Sequence, residues 1–508
     1  MRTLRFTRLF KIIPVKLVFL CCLPVFYNTA GAQVHLFEIN PAVNGQFRAA
    51  LPDTAAGIFR EGGNPAGLSE AGLSETGLLS VGAFAETGTH RQVQQPSGLF
   101  YGSFFAEGTQ KVNSWHVSGS VSLNRGISEN QQFLSRAPVH NHNPYQWTDT
   151  TGGSWTNNLV SLRGVAGSPL LGGRFAAGLS AEYDVMQGAR QNAERPLFQY
   201  SRYQLRAGLS YHLSDQTEAG LSLHFGESNQ EKEIGFFNQL DTFVLLLRGI
   251  GTFSQTSFNS ASRTYQAHQT GGGIQLLRRT SQMVYSYALS YTSSDEGAQT
   301  GISNPIPAGN WQQQLLQSRN AVRFQSSAVH HEFRFIGELL LGEGTDPLLG
   351  GINTELMRVS ALLGWETINS LSGRKHGLSL HLLDYSMKDR VSLSEQLHTR
   401  LMLEAALTMP MFQNTLLVKY QPGVSLPLQN KLSFRSANSV ISRIFEPDFD
   451  FLDHTVLAQK VSLNWLKDLG SYDLGVGMRF QYQLGLNAGS SFITQNRSFG
   501  ALFLLIRY

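Results

Sequence analysis

Apolar and polar residues alternate along several long segments of this chain. In one of them Phe175, Leu179 and Tyr183 fall on one face, and Ser180 and Glu182 fall on the other. Because successive side chains of a strand point to opposite faces, this period of two predicts β-strands with one apolar face. The same alternation recurs at 203–213, 283–291, 357–365 and 474–484. No long helical period separates these segments.

The length of the alternating segments decides between a soluble sandwich and a membrane barrel. Strands of soluble proteins average about 5–6 residues, whereas tilted transmembrane strands need about 9–11 residues. Full charges on the alternate face suit a wet lumen and not a lipid-facing wall. The backbone N–H and C=O groups of an open sheet edge would find no hydrogen-bond partners in hydrocarbon, so the barrel must close. We therefore predict an all-β fold, a transmembrane antiparallel up-and-down β-barrel of 14–18 strands with 16 as the best value.

The last residues of the chain form one more amphipathic strand. Leu502, Leu504, Ile506 and Tyr508 alternate with less uniformly apolar neighbours, and the chain ends on an aromatic residue. This pattern resembles the C-terminal signal of bacterial outer-membrane proteins. The resemblance implies recognition by the barrel-assembly machinery during biogenesis.

Residues 1–32 have the layout of a secretory signal peptide. Five basic residues and no acid precede or flank an apolar run at 17–26, and Ala30 and Ala32 supply small residues before a cleavage site. Leu20 stands where a lipobox needs a small residue before Cys21, which disfavours lipidation. An uncleaved anchor is disfavoured because the apolar run is shorter than the roughly 20 residues of a membrane-spanning helix.

Removing this segment changes the meaning of the overall composition. The whole chain has 508 residues and a formal charge of +4, but residues 33–508 contain 35 basic and 36 acidic side chains. Both cysteines, Cys21 and Cys22, lie in the discarded part. A basic nucleic-acid binder, a disulfide framework and a cysteine metal site are therefore excluded.

A short motif precedes the first predicted barrel strand. Asn64, Pro65 and Ala66 lie in a Gly- and Ala-rich stretch between the export signal and the barrel. The motif and layout resemble the long-chain fatty-acid transport porin family, in which this segment folds inward as a hatch. An ordinary Asn-Pro turn is an equally good interpretation. The predicted organisation is a signal peptide at 1–32, a periplasmic or lumen-plugging segment at 33–76 and a barrel at 77–508. The whole-chain pattern also resembles uncharacterised outer-membrane barrel families, which implies no activity.

Charged residues on the predicted inner face are the candidate lumen residues. An arginine-lined lumen could select anions, but pairing across neighbouring strands is the favoured interpretation because the net charge is near zero. The candidates are Arg174, Glu182, Asp184, Arg202, Arg206, Arg358, Glu366 and Arg479.

Metal and enzyme chemistry have little support in the sequence. His140 and His142 could point the same way, and 446–454 is acidic, but neither supplies a complete ligand set. We expect no metal site and no cofactor. No GxxxxGK[ST], HExxH or GxSxG motif is present, so we expect no enzyme, although a hydrolase site assembled from separate strands stays a minor alternative.

These features favour an outer-membrane barrel of a Gram-negative bacterium. The first expectation is a channel or hatch-gated transporter for small or hydrophobic molecules. The alternative is a structural or accessory barrel within a secretion, assembly or nutrient-uptake complex, with other outer-membrane proteins as partners. Outer-membrane lipid is the expected surrounding in either case, and nucleic acid is not an expected partner. Polar connections at 124–155, 226–263, 292–320 and 342–353 are expected to face outward.

Overall fold

A computed structural model of the chain describes residues 64–68, 76–132, 142–149, 152–190, 195–235, 244–256, 260–301, 304–411, 414–433, 441–486 and 495–507. Eighteen antiparallel strands form one closed sheet, with each strand beside its neighbour in the chain order given below. The first and last strands pair antiparallel, with Leu78 opposite Arg507, and this pairing closes the barrel.

The strands are 13–20 residues long within the barrel. Their bounds are β1 Thr76–Gly88, β2 Gly98–Val112, β3 Trp115–Gln131, β5 Gly153–Gly167, β6 Phe175–Arg190, β7 Leu197–Ser214, β8 Thr217–Gly235, β11 Ser260–Arg279, β12 Met283–Thr300, β13 Ile306–Gln325, β14 Val329–Thr345, β15 Ile352–Asn369, β16 Lys375–Asp389, β17 Ser394–Met411, β18 Asn414–Lys431, β19 Thr455–Asp468, β20 Asp473–Leu486 and β21 Gln495–Arg507. The all-β barrel prediction is confirmed, and the observed strand number is 18 where 16 was the best value.

The two ends of the barrel differ in their connections. At the turn end, where β1 begins, the links are short, such as residues 113–114 and 215–216. At the loop end, where β1 finishes, the links after β3, β8 and β18 are the long ones. The strands run further toward this end than the sequence predicted: β3 extends to Gln131 and β12 to Thr300, so much of 124–155 and 292–320 is strand.

A second, three-stranded sheet lies at the loop end. It consists of β4 Trp147–Asp149, β9 Val244–Leu247 and β10 Phe253–Thr256, in the order β10-β9-β4. A π-helical turn, Ile441–Phe445, leads into a short α-helix, α1 Glu446–Leu452. None of the helices in the described part of the chain is long and apolar enough to cross a membrane.

Exposure follows the alternation that the sequence predicted. On β6, Leu179 and Tyr183 are 66% and 47% exposed, while Asp184, the residue after Tyr183, is 5% exposed. On β21, Leu502, Leu504 and Ile506 are exposed while Phe503 and Leu505 are buried. The apolar face of each strand is therefore the outer wall, and the face with Gly, Ser and charged residues lines the lumen. Tyr508 lies outside the described residues.

Candidate functional site

The Asn-Pro-Ala motif lies inside the barrel at the turn end. Residues Pro65–Leu68 form one turn of 3-10 helix, and Asn64 precedes it; we call residues 64–68 the wedge. The side-chain amide of Asn64 donates to the carbonyl oxygen of Leu209 at 3.0 Å and to that of Leu221 at 3.4 Å. Its carbonyl oxygen accepts from the amide of Ala66 at 3.0 Å. Asn64 therefore both shapes the turn and fastens it to β7 and β8.

Two glycines let the wedge approach the inner wall. Gly178 on β6 and Gly208 on β7 face the lumen, where a Cβ atom at Gly178 would overlap the Pro65 backbone. A Cβ atom at Gly208 would overlap the side-chain oxygen of Asn64. The positions therefore require glycine because of close approach and not because of backbone conformation. The wedge side chains are fully buried, with Ala66 at 0% exposure.

Charged residues occupy the inner wall above the wedge. On β5–β7, Arg163 lies 3.2 Å from Glu182, and Arg202 lies 2.5 Å from Asp184. The last pair joins two predicted lumen residues on neighbouring strands, with Arg202 opposite Asp184 in the register. Arg206 lies on the same face, two positions along β7 from Gln204.

A second charged network spans β13–β15. Arg323 contacts Glu332 at 2.5 Å, and Arg334 contacts both Glu332 and Glu366. Nearer the loop end, Arg358 lies 3.5 Å from Glu338. Sequence reasoning missed Glu332 and Glu338, although their even spacing on β14 was a usable signal.

The inner wall formed by β17–β20 has a surplus of positive charge. Arg400, Lys419, Lys460 and Arg479 share this wall with Glu404, which pairs with Lys419 at 3.6 Å. Arg479 is the one member that the sequence had indicated. Arg174 is different: it lies exposed in the turn before β6, because the strand begins one residue later, so its assignment to the lumen wall was wrong.

Apolar side chains cover another part of the inner wall. A buried cluster joins β1, β2, β5–β7, β19 and β21, and includes Phe84, Tyr101, Trp155, Phe198 and Phe503. Trp155 and Phe198 have ring centroids 5.6 Å apart. The lumen thus combines an apolar wall with charged walls.

At the loop end, three connections fold against the inner wall; we call residues 142–149, 244–256 and 441–454 the cap. The buried Tyr145 donates from its hydroxyl to Asn353 at 2.5 Å, and its carbonyl accepts from Tyr265 at 3.1 Å. Gly309 and Gly344 leave room for its ring, since a Cβ atom at either would press on it.

Buried charges hold the rest of the cap. Arg248 contacts Asp346 at 2.7 Å, with side chains 12% and 0% exposed. Lys232, at the end of β8, donates to the carbonyl of Trp147 and lies 4.5 Å from its ring centroid. The 441–454 part packs through Ile444 and Phe445 against β9. The cap is thus tied to many separate strands.

Two titratable groups lie where the cap meets the 89–97 connection. Asp448 on α1 accepts a hydrogen bond from the Val93 amide at 2.8 Å, and burial raises the pKa of Asp448 to about 7. His90 stacks on Phe451 with centroids 4.4 Å apart, and burial lowers the pKa of His90 to about 4. Both groups are therefore held toward their neutral forms.

The candidate metal ligands have other partners. His142 lies 3.4 Å from a guanidinium nitrogen of Arg358 and beside the ring of Tyr385, while His140 lies outside the described residues. The acidic 446–454 stretch forms α1 and its C-terminal turn. Across the described ranges, no three His, Cys, Asp or Glu side chains gather as a metal site would require.

Comparison with known proteins gives distant structural matches. CdiB from Acinetobacter baumannii is 10% identical over 85% of this chain and 60% of that chain, with a TM-score of 0.33. BauA, the ferric preacinetobactin receptor of the same organism, is 8% identical over 86% of this chain and 80% of that chain, with a TM-score of 0.38. A Pseudomonas aeruginosa FadL homologue is 9% identical over 88% of this chain and 92% of that chain, with a TM-score of 0.30. Matches this distant do not indicate a cargo or an activity.

Sequence comparison identifies the family. No curated protein matches the chain. The model of a family of unknown function, DUF6850, matches residues 65–503, from the wedge to the last strand. This agrees with the expectation of an uncharacterised barrel family. The chain belongs to the DUF6850 family.

Proposed function

We propose that this protein is a gated barrel of the Gram-negative outer membrane that passes small or hydrophobic molecules. The outer wall supports the membrane placement, because apolar side chains such as Leu205, Leu223 and Leu504 are 53–62% exposed there. Strands of 13–20 residues are long enough to span the hydrocarbon at a tilt.

One observation supports gating above all: segments of the chain itself enter the lumen at both ends. The wedge occupies the turn end, and the cap packs into the loop end through Tyr145 and Arg248. An open porin would leave these regions to water. A lumen with an internal segment at each end suits a path that opens only when those segments move.

The inner wall supports a small or hydrophobic cargo. The apolar cluster around Phe84 and Phe198 offers contacts to hydrocarbon, and the β17–β20 wall offers cationic and polar groups. Such a mixed lining can accommodate an amphipathic molecule better than a purely polar channel can. We propose no catalytic role for these residues.

The test is uptake into proteoliposomes. Purified protein is reconstituted, and entry of octanoate is compared with entry of sucrose in vesicles with and without protein. We expect octanoate to enter faster in protein-containing vesicles, while sucrose entry stays close to that of empty vesicles. Equal rates for octanoate with and without protein would contradict the proposal.

A second measurement separates transport from an accessory role. Extraction in mild detergent followed by mass spectrometry identifies co-purifying proteins and small molecules. We expect a gated transporter to be purified without a stoichiometric partner protein. A partner present in equal amounts, together with no octanoate uptake, would favour an accessory barrel instead.

A further inference from the structure

A groove crosses the outer wall where the first and last strands meet. Its floor consists of the small residues Ala83, Ala85, Gly102 and Gly500, and its volume is about 1010 Å³; we call it the seam groove. A Cβ atom at Gly500 would meet nothing within 4 Å, so among the described residues no side chain fills this space.

The register shows how the groove is walled. Phe480, Gly500, Ala85 and Phe100 lie side by side on β20, β21, β1 and β2. The two phenylalanines are therefore three strand spacings apart, about 14 Å, with only a glycine and an alanine between them. Both rings are about half exposed, at 54% and 43%. The gap is wide enough for extended hydrocarbon chains.

Two charged residues line this groove, Arg125 and Arg479. Arg479 belongs to the inner face of β20, between the outward Met478 and Phe480, so Arg125 is the charged residue on the outer face. Arg125 lies opposite Gly102 in the register and shares its face of β3 with Leu123 and Ile127, which are 44% and 46% exposed. It is exposed, and among the described residues no carboxylate pairs with it. An unpaired arginine on a lipid-facing wall is destabilising near the midplane and much less so near the interface.

The position of Arg125 favours the interface. It lies ten residues from Trp115, where β3 begins at the turn end, and a tilted strand of about 9–11 residues spans the hydrocarbon. Phe100 and Phe480 line the same groove and are both exposed, as interfacial aromatic residues are. A guanidinium at this depth is matched by lipid phosphate, which it can bind through two parallel hydrogen bonds.

From this geometry we infer that the seam groove binds a membrane lipid with a phosphate-bearing headgroup. Acyl chains lie over Ala83, Gly102 and Gly500, and the phosphate lies against Arg125. The lipid belongs to the leaflet at the loop end of the barrel. This inference rests on the membrane placement proposed above, but it does not depend on transport.

The experiment is native mass spectrometry of the purified protein in mild detergent, titrated with diphosphoryl lipid A or with phosphatidylcholine. Arg125→Gln removes the charge, and Gly500→Leu fills the groove. The matched controls are Arg278→Gln, an exposed outward arginine at the turn end, and Gly297→Leu, where a Cβ atom also meets open space.

We expect lipid A to bind wild type more tightly than phosphatidylcholine does. Arg125→Gln should weaken lipid A binding about fivefold, the equivalent of about 1 kcal/mol, and leave phosphatidylcholine binding unchanged. Gly500→Leu should weaken binding of both lipids. Both controls should bind as wild type does.

Two outcomes would overturn the inference. One is equal loss in Arg125→Gln and Arg278→Gln, which means non-specific charge attraction. The other is equal binding of the two lipids by wild type. Failure of the protein to insert into vesicles would instead count against the membrane placement, so the two failures are distinguishable. A third contrary outcome is a wild-type dimer that Gly500→Leu dissociates, because it would assign the groove to a second copy of the chain.

Discussion

The wedge at the turn end and the cap at the loop end both enter the lumen, but different contacts hold them. The wedge is five residues long and depends on close backbone packing against Gly178 and Gly208 and on one asparagine. The cap gathers three connections and is tied by a buried ion pair, a buried lysine and aromatic packing. Because the cap has many anchors and the wedge has few, we expect the wedge to be released more easily.

The largest expected effect comes from the buried ion pair of the cap. Asp346→Asn leaves Arg248 buried without its carboxylate, and breaking a buried pair in this way costs about 3–5 kcal/mol. Hydrogen exchange at 142–149 and 244–256 should therefore become much faster. Glu355→Gln breaks the exposed pair with Arg390 at the same end and should cost less than about 1 kcal/mol. Similar exchange in the two variants would show that Asp346 is not a cap anchor.

A smaller effect is expected where the wedge meets the wall. Gly208→Ala puts a methyl group into the space of the Asn64 side chain, and such overpacking costs about 1–3 kcal/mol. Because residues 33–508 contain no cysteine, Leu68→Cys provides a reporter whose maleimide labelling should accelerate in the Gly208→Ala background. Gly164→Ala, where a Cβ atom meets nothing, should leave labelling unchanged. Unchanged labelling in Gly208→Ala would place the wedge elsewhere.

Removing the wedge's side-chain hydrogen bonds should have a milder effect. Asn64→Ala loses the bonds to the carbonyls of Leu209 and Leu221 and the bond within the turn. At about 1 kcal/mol for each of the two 3.0 Å bonds, the loss is about 2 kcal/mol, below the upper limit of about 3 kcal/mol for Gly208→Ala. Labelling of Leu68→Cys should therefore be faster than in wild type and no faster than in Gly208→Ala. Asn64→Asp keeps the acceptor but places a buried carboxylate against two carbonyl oxygens, so it should accelerate labelling at least as much as Asn64→Ala does.

The smallest effect concerns pH and the 441–454 part of the cap. The pKa of Asp448 is raised to about 7, so its contribution to docking is present at low pH and is lost as pH rises through about 7. The pKa of His90 is lowered to about 4, so its contribution is present above about 6.5 and is lost as pH falls toward 4. Of these two groups, only Asp448 changes charge between pH 6.5 and 8.

Hydrogen exchange at 441–454 tests this directly. After correction for the intrinsic exchange rate at each pH, hydrogen exchange in wild type should be faster at pH 8 than at pH 6.5. The reason is that α1 docks less well when Asp448 is ionised. Asp448→Asn should remove that difference, while Asp450→Asn on the exposed side of α1 should keep it. A pH response that survives Asp448→Asn would assign it to another group.

The barrel itself was predictable from the sequence because the alternation of apolar and polar residues is visible within each strand alone. Leu179 and Tyr183 mark the outer face without reference to any neighbour, and the same alternation placed Arg202 and Asp184 on the inner face, where they pair. Partners further away were not predictable. Arg358 contacts Glu338 and not Glu366, since register and depth decide which charges meet.

The cap lay beyond sequence reasoning for a related reason. Its small sheet joins 147–149 to 244–247 across a separation of nearly a hundred residues. The apolar run at 242–247 was noticeable, but nothing local indicated that Leu245 and Leu247 pack inside a barrel mouth. The wedge was found only as a motif, and its glycine partners at 178 and 208 could not have been named.

Single-channel conductance in planar bilayers tests the central claim, which is that the wedge and the cap close one path in series. Wild type, Gly208→Ala and Asp346→Asn are compared with the double variant. Because either closure alone blocks the path, we predict low conductance for wild type and both single variants and a large, steady conductance for the double variant. High conductance in wild type, or a single variant that conducts as well as the double, would contradict closure at both ends.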